Sequence, residues 1–422
     1  MNVNDCKPKV SVIIPMYNCA RFLPDFFRDM KEQSLKDFEM ICVIDGATDN
    51  TLEIVKQYEA EDDRIRYFYK ENGGAGTARN LGLDYARGEY VMWIDADDRY
   101  SPDLLKEMAT AADEFMADEV LCLFDSYDYK INKMEAELGF DKEVFPENTC
   151  VNPFEALITK KSFSIAGNGA TNKLYRKAFI KDNNLYYSAT RIANDVKFIY
   201  SAIAIAKKVV GVHKKLIHVQ KRINPDSITS NRGKHIQDIS VVFSELFQWL
   251  KERNLSERLC NTFCVAFKYG IIYNSQFAVN REFIEAIVYT LNEKEPWTNM
   301  SSRDIAKLFG KWFDIGKIKK DIQKLEAVIR ENKDDDTKAL LNRFEMAKNR
   351  LDTMALIWVL SVVRYDRDFR INKISDYQKQ ISTLKRQVNT LKDQAQGEKN
   401  SWNYRVGSAI LWLPKKIYYL FK

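Results

Sequence analysis

Apolar positions along the first hundred residues switch between two periods. Residues 9–14 (KVSVII) form a short β-branched run that Pro15 and Asn18 end. Residues 20–33 then place Phe22, Leu23, Phe26, Phe27 and Met30 at helical spacing. The alternation repeats. Residues 38–44 (FEMICVI) read as a strand and 51–60 as a helix. Residues 65–69 read as a strand, 77–86 as a helix, and 90–94 (YVMWI) as a fourth strand. This order predicts a mostly parallel sheet with helices on both faces. In such sheets ligands bind outside the carboxyl ends of the strands. Asp45 follows the second strand, Gly73, Gly74 and Gly76 follow the third, and Asp95, Asp97 and Asp98 follow the fourth.

Ser101-Pro102 predicts an N-cap and first position for a helix running to about residue 116. Residues 120–124 suggest another strand, and 125–190 show no single period. Residues 195–206 have helical spacing, followed by two short strands at 209–212 and 216–219. From about residue 231 to 365 the pattern is helical. The expected organisation is therefore an α/β domain over 1–230, in halves 1–100 and 101–230, then a helical region over 231–365.

Two further segments follow. Ile374, Tyr377, Ile381, Leu384, Val388, Leu391 and Ala395 recur at spacings of three and four. They predict a coiled coil over 366–400, hence a homo-oligomer, against the alternative of an ordinary surface helix. Residues 401–422 interleave Trp402, Tyr404, Trp412, Tyr418, Tyr419 and Phe421 with Arg405, Lys415, Lys416 and Lys422, without an acid. Such a stretch suits the headgroup layer of an anionic membrane, or else docks on the protein itself.

Composition narrows the class. The 422 residues are 45% hydrophobic and 29% charged, ordinary for a folded chain. The net charge is +6, but residues 366–422 hold 12 Lys/Arg against 5 Asp/Glu, so the first 365 residues sum to −1. Basic character belongs to the C-terminal segments and does not mark the body as nucleic-acid-binding. No apolar run approaches the roughly 20 residues that cross a bilayer, and the start lacks a secretory signal core. The seven cysteines suggest reduced thiols, and three histidines (His213, His218, His235) make no zinc site with them. The expected location is cytoplasmic, peripheral on the inner face of the cell membrane.

The acids carry the candidate chemistry. Asp95, Asp97 and Asp98 directly follow an apolar strand, and carboxylates crowded together call for a cation between them. A divalent ion with oxygen ligands, completed by a diphosphate, fits; a surface turn capping the next helix is the bland alternative. Asp45 before Gly46 suits close approach to a flat ligand, where a carboxylate accepts a base or ribose hydrogen bond. Glycines ahead of a helix expose N–H groups, and Arg79 adds a fork of donors for phosphate oxygens. The glycine pattern is not G-x-G-x-x-G and follows the third strand, which argues against a nicotinamide site.

VSVIIPMYN, VIDGATDNT and ENGGAGTARNLGLDYARGEYVMWIDADD together resemble family 2 of the inverting glycosyltransferases, of GT-A fold, over residues 10–230. Asn172-Lys173-Leu174-Tyr175-Arg176 and Asn194-Asp195 are further matches. The resemblance implies donor contacts at Pro15, Tyr17, Asp45, Gly74, Arg79, Asp95, Ala96 and Asp97. Asp45 would read the base, Asp95 would lie near the ribose, and Asp97 would hold Mn²⁺ or Mg²⁺ against the diphosphate. Asp195 would be the general base. Two positions depart from the family: Ile44 stands where a first acid is usual, and Asn194 replaces the glutamate before the base. The Q-x-x-R-W signature of processive synthases is absent. The resemblance implies a metal-dependent transferase that is non-processive or of limited processivity. It would use a nucleotide sugar, UDP-linked by default, and a glycan or lipid-linked acceptor in surface-polysaccharide assembly. Ile44 and Asn194 also allow a catalytically inactive scaffold or binding subunit.

Overall fold

A computed structural model describes residues 7–128, 133–134, 139–221, 235 and 237–275. All lie in the first of the chain's two compact units, Met1–Val362. The expected coiled coil, the aromatic tail and most of the expected helical region fall outside the described residues.

The elements run β1 (Val10–Met16), α1 (Leu23–Lys31), β2 (Phe38–Asp45), α2 (Thr51–Glu61), β3 (Ile65–Lys70), α3 (Ala75–Tyr85) and β4 (Tyr90–Trp93). They continue β5 (Arg99–Tyr100), α4 (Leu104–Phe115), β6 (Glu119–Asp128), β7 (Lys133–Met134), β8 (Cys150–Val151), α5 (Phe154–Lys160), β9 (Lys173–Arg176) and α6 (Lys177–Asp182). Last come α7 (Val196–Ile205), β10 (Val209–Lys221), α8 (Gln237–Glu252) and α9 (Cys260–Ser275).

One sheet takes all ten strands, in the order β3-β2-β1-β4-β9-β6-β10-β5, with β7 on β6 and β8 on β10. β1 is central and buried along almost its whole length, as expected of a strand covered on both faces. Its side chains alternate between two cores. Ile13 faces the one that α3, α5, α7, α8 and α9 cover, while Val12 and Ile14 face the one under α1, α2 and α4. Pro15 is tolerated because pairing of β1 with β4 ends at Ile13↔Trp93, so no ladder bond is lost on that side.

The strands at the core of the N-terminal half match the sequence reading, and the differences have physical reasons. The sheet is mixed: β9 runs antiparallel to both β4 and β6. The two short strands expected at 209–212 and 216–219 are one strand, β10, whose register on β6 slips between Val212 and Lys215 and again before Ile217. The bulges break its apolar alternation and bend it. The helix expected from Ser101-Pro102 starts later, at Leu104, with Asp103 as N-cap.

The sheet is also curled. β4 and β5 stand four places apart in strand order, about 19 Å in a flat sheet. The chain between them could reach that far only if fully extended, and instead it makes a turn closed by Asp98 N–H to the Asp95 carbonyl. The far edge must therefore come round beside β4. α8 and α9 add Phe243, Leu246, Phe263 and Phe267 to the same core as Trp93 and Phe198, so residues 237–275 share the packing of the α/β layer.

One helix end offers a clean stability test. α4 closes with Ala117 N–H on the Ala112 carbonyl and Met116 N–H on that of Asp113. Met116 sits there at φ 50°, 68% exposed. Glycine is the residue that conformation favours. Met116→Gly is expected to stabilise the fold by about 1 kcal/mol, raising Tm by about 2–4 °C in a calorimetric scan.

Candidate active site

Asp45 ends β2, only 3% exposed. Its Oδ1 accepts from Lys70 Nζ at 2.6 Å and from Gly73 N–H at 2.8 Å, and its Oδ2 from Gly74 N–H at 2.8 Å. Lys70 is placed by register, since Asp45 pairs with it across β2 and β3. Asn72 Nδ2 donates to the Asp45 carbonyl at 3.0 Å. A buried carboxylate needs such donors. The two glycine N–H groups expected to face phosphate are thus spent on Asp45, which latches the turn that opens α3. Gly74 makes that turn at φ 91°. Pro15 and Tyr17 lie at the carboxyl end of β1, Tyr17 half exposed.

The acids after β4 gather about Tyr100. Its hydroxyl donates to the Asp95 carbonyl at 2.6 Å and receives Asp95 N–H at 3.0 Å. Burial first, then the charges of Asp98, Asp95 and Asp97, raise this phenol well above its usual range. Asp98 is buried and accepts Gln220 N–H at 2.9 Å, pinning the turn to β10. Ala96 is buried too, whereas Asp97 is exposed and its charge reaches Cys19 after β1.

Arg79 joins this turn to the segment before α7. It lies on α3, 7% exposed. Nη1 donates to Asn194 Oδ1 at 2.9 Å and Nη2 to Asp95 Oδ1 at 3.1 Å. Burial works against its charge, but Asp95, Tyr187 and Asp195 outweigh it and hold the guanidinium above its ordinary pKa. Asp195 is the N-cap residue of α7. The chain reaches it through Ala193 at φ 52°, a strained conformation for alanine. Asn80 fixes the approach by bonding both the N–H and the carbonyl of Tyr187 at 2.9 Å. Gly76 permits it: a Cβ there would lie 2.3 Å from the Ser188 carbonyl oxygen and 2.9 Å from Asn194 Cβ.

The structure therefore brings Arg79, Asp95, Asn194 and Asp195 together. Asp97 adjoins them through the Tyr100 cluster. Asp45 and Gly74 lie at the turn that opens α3, the helix that carries Arg79. Several residues were missed by sequence reasoning. Lys70 balances Asp45, Tyr100 organises the acids, and Arg191 bonds Asn72 across the glycine turn. Only Lys70 had a signal, as the cation ending the strand beside Asp45. His218 is committed to Asp125, Nδ1 to Oδ1 at 2.7 Å. A cleft of about 510 Å³ between Ala47, Thr48, Leu52 and Tyr69 contains none of the expected donor residues.

Among the described residues no three His, Cys, Asp or Glu side chains converge to hold a metal ion by themselves. The donor set still fits one. An exposed Asp97 carboxylate beside Asp95 offers hard oxygens, and Mg²⁺ and Mn²⁺ sites commonly take one or two carboxylates and complete their shell with substrate phosphates. Nor is any helix of the described residues long and apolar enough to cross a membrane.

Comparison with known proteins bears on the family and the fold. Residues 11–183 match the model described as Glycosyl transferase family 2. The glycosyltransferase GlyG of Streptococcus pneumoniae is 27% identical over 244 residues, covering 56% of this chain and 78% of GlyG. The uncharacterized glycosyltransferase EpsJ of Bacillus subtilis is 31% identical over 244 residues, covering 55% and 66%. TarS of Staphylococcus aureus, a poly(ribitol-phosphate) β-N-acetylglucosaminyltransferase, is 26% identical over 247 residues, and the match spans 58% of this chain but only 39% of TarS. The crystal structure of residues 1–349 of TarS superposes with a TM-score of 0.52 at 23% identity, over 71% of this chain and 82% of that one, a likeness of fold. Residues 11–183 thus carry a family 2 glycosyltransferase domain, and this α/β domain has the GT-A fold.

Proposed function

We propose that this enzyme moves a sugar from a UDP-linked donor to a hydroxyl of a glycan or lipid-linked acceptor in surface-polysaccharide assembly, inverting the anomeric centre. One observation carries the reading: Arg79 bonds both Asp95, beside the acidic turn, and Asn194, the neighbour of Asp195. A donor-side acid and a candidate proton acceptor thus flank one buried guanidinium. TarS, named for N-acetylglucosamine transfer and solved with UDP-GlcNAc, makes a UDP-sugar the first donor to try. Asn194 is engaged in holding Arg79, which supports an assembled site over an inactive scaffold.

In this mechanism Asp195 takes the proton of the acceptor hydroxyl as its oxygen attacks from the face opposite the leaving diphosphate. Arg79 supplies positive charge between the two halves of the site. Asp45 acts through the turn it latches, shaping the wall on which the nucleotide rests, while Pro15 and Tyr17 after β1 and Ala96 in the acidic turn would line the rest of the donor site. Asp97 would hold Mn²⁺ or Mg²⁺, which would neutralise the departing diphosphate.

The test is a panel of UDP-, GDP- and dTDP-sugars in a thermal-shift assay with and without Mn²⁺. A donor at 100 times its Kd stabilises by about 2.7 kcal/mol. Stabilisation by one UDP-sugar, with the metal-dependent part lost in Asp97→Asn, is expected. No shift with any donor would sink the reading.

The C-terminal segments are assigned to placement of the enzyme, on their sequence alone. The coiled coil would join copies, and the tail would dock on an anionic inner leaflet. Deleting residues 401–422 is expected to abolish sedimentation with phosphatidylglycerol vesicles and leave donor stabilisation intact; continued sedimentation refutes the tail's role.

A further inference from the structure

Beneath the proposed proton acceptor lie two charged side chains that the mechanism above does not use. Glu119 begins β6 and Lys173 begins β9, and both are fully buried. The antiparallel register pairs Glu119 with Tyr175 and Leu121 with Lys173, so Glu119, Tyr175 and Lys173 share one face of the sheet. That face is the core under α7, where Tyr175 packs on Phe198 and Trp93.

Core packing does not account for them. A buried ion pair is no more stabilising than apolar residues of the same volume, and often less. This pair is also incompletely satisfied. Lys173 Nζ donates to the Gly169 carbonyl at 2.6 Å and to Asn172 Oδ1 at 2.8 Å, whereas neither Glu119 oxygen makes a hydrogen bond of standard geometry, although the Tyr175 hydroxyl faces the carboxylate and acts on it. Burial raises the Glu119 carboxyl and lowers the Lys173 ammonium, the directions expected of charges kept from water.

The arrangement is polarised toward Asp195. The charges acting on Lys173 are Glu119, Cys122 and Asp195. Those acting on Glu119 are Lys173 and Asp118, with Tyr175 beside them. The strand register points the same way: Leu174 stands opposite Met92 and Tyr175 opposite Val91, so Lys173 lies toward the carboxyl end of β4, where the acidic turn begins, and Glu119, opposite Tyr175, lies further back. From the other elements packed here, Arg79 on α3 also feels Asp195, as do the phenols Tyr175, Tyr187 and Tyr200. Asp95 is neutralised by Arg79, and Glu245 on α8 is engaged with Lys197 and Ser188. Lys173 is thus a second cation, below Asp195, where Arg79 is the first, beside it.

We propose that Lys173, with Glu119 as its buried counter-charge, is a positioning residue that keeps the Asp195 carboxylate ionised and ready to accept a proton. The inference rests on the reading of Asp195 as the proton acceptor. A positive charge nearby favours the ionised carboxylate, so the base stays competent at lower pH than its other surroundings would allow.

The test titrates Asp195 directly. Full-length protein carrying ¹³C-labelled aspartate is followed by NMR, with the Asp195 carboxyl assigned by its loss in Asp195→Asn. In the volume-matched double variant Lys173→Met/Glu119→Gln, which leaves no lone buried charge, that carboxyl is expected to titrate about one pH unit higher. The acid limb of kcat, measured with the donor found in the thermal-shift panel, should move by the same amount. A folded double variant with an unmoved Asp195 titration overturns the proposal. Should the double variant not fold, reciprocity supplies the measurement: Asp195→Asn should lower the titration of ¹³C-labelled Lys173, and an unchanged Lys173 overturns the proposal. The two readings fail separately. Transfer surviving in Asp195→Asn removes the proton-acceptor role. An inactive Asp195→Asn with no coupling to Lys173 removes only the positioning role.

Discussion

Asp195→Asn is expected to lower sugar transfer by a factor of about 10²–10⁴, the usual worth of a positioned general base, while donor binding changes little. Asparagine keeps the size and hydrogen-bonding reach of the side chain but cannot take a proton. The effect should therefore fall on kcat, with the Kd for UDP, measured by calorimetry, preserved within about twofold. Asp195 lies at the start of α7, beyond the Arg79 contacts to Asp95 and Asn194, so the glycine turn and acidic loop should remain assembled. Transfer within threefold of wild type would refute the assignment, and a parallel loss of UDP binding would move Asp195 to the donor side.

The second large effect needs no change in any charged residue. Gly76→Ala should reduce transfer by about 10²-fold or more, because an error near 1 Å in a catalytic group costs that much. The added Cβ would sit 2.3 Å from the Ser188 carbonyl oxygen and 2.9 Å from Asn194 Cβ. Both belong to the segment that delivers Asp195, and Ser188 N–H is itself bonded to the Asn194 carbonyl at 2.9 Å. The segment must move as a unit. Overpacking of this kind costs about 1–3 kcal/mol, which urea unfolding would register. A variant that loses that stability yet transfers at the native rate would show that the Ser188-to-Asp195 segment tolerates displacement.

Much of the N-terminal half was legible because β1, β2 and β4 are near-continuous apolar runs buried on both faces, set between stretches of helical spacing. β6 was visible as a similar run and α7 by its helical spacing. The segment 125–190 was not, since β7 and β8 have two residues each and β9 reads Lys-Leu-Tyr-Arg. A lysine at a fully buried strand position is the opposite of what hydrophobic patterning looks for. β10 was split because its bulges place Lys214 and Lys215 in the middle. At the site, each acid could be picked out by its place after a strand. Their assembly could not, because the Arg79–Asn194 bond joins residues 115 apart, and that pairing exists only once α3 and α7 are packed on the sheet. The partner of Asp45 was the nearest miss: Lys70 is a surface-looking lysine until the β2–β3 register sets it opposite.

The curl of the sheet has a consequence for how the molecule can be cut and recombined. β5 comes from the first hundred residues yet hydrogen-bonds to β10, beyond β9 and β6 in strand order. The amino-terminal portion therefore hooks around the strands that follow it in sequence. Chimaeras that exchange acceptor specificity by splicing at residue 100 would sever a clasp, and the grafted piece would have to bring its own complement to Arg99 and Tyr100. Expressed as separate polypeptides, residues 1–100 and the remainder should be insoluble alone and recover a folded enzyme only when produced together.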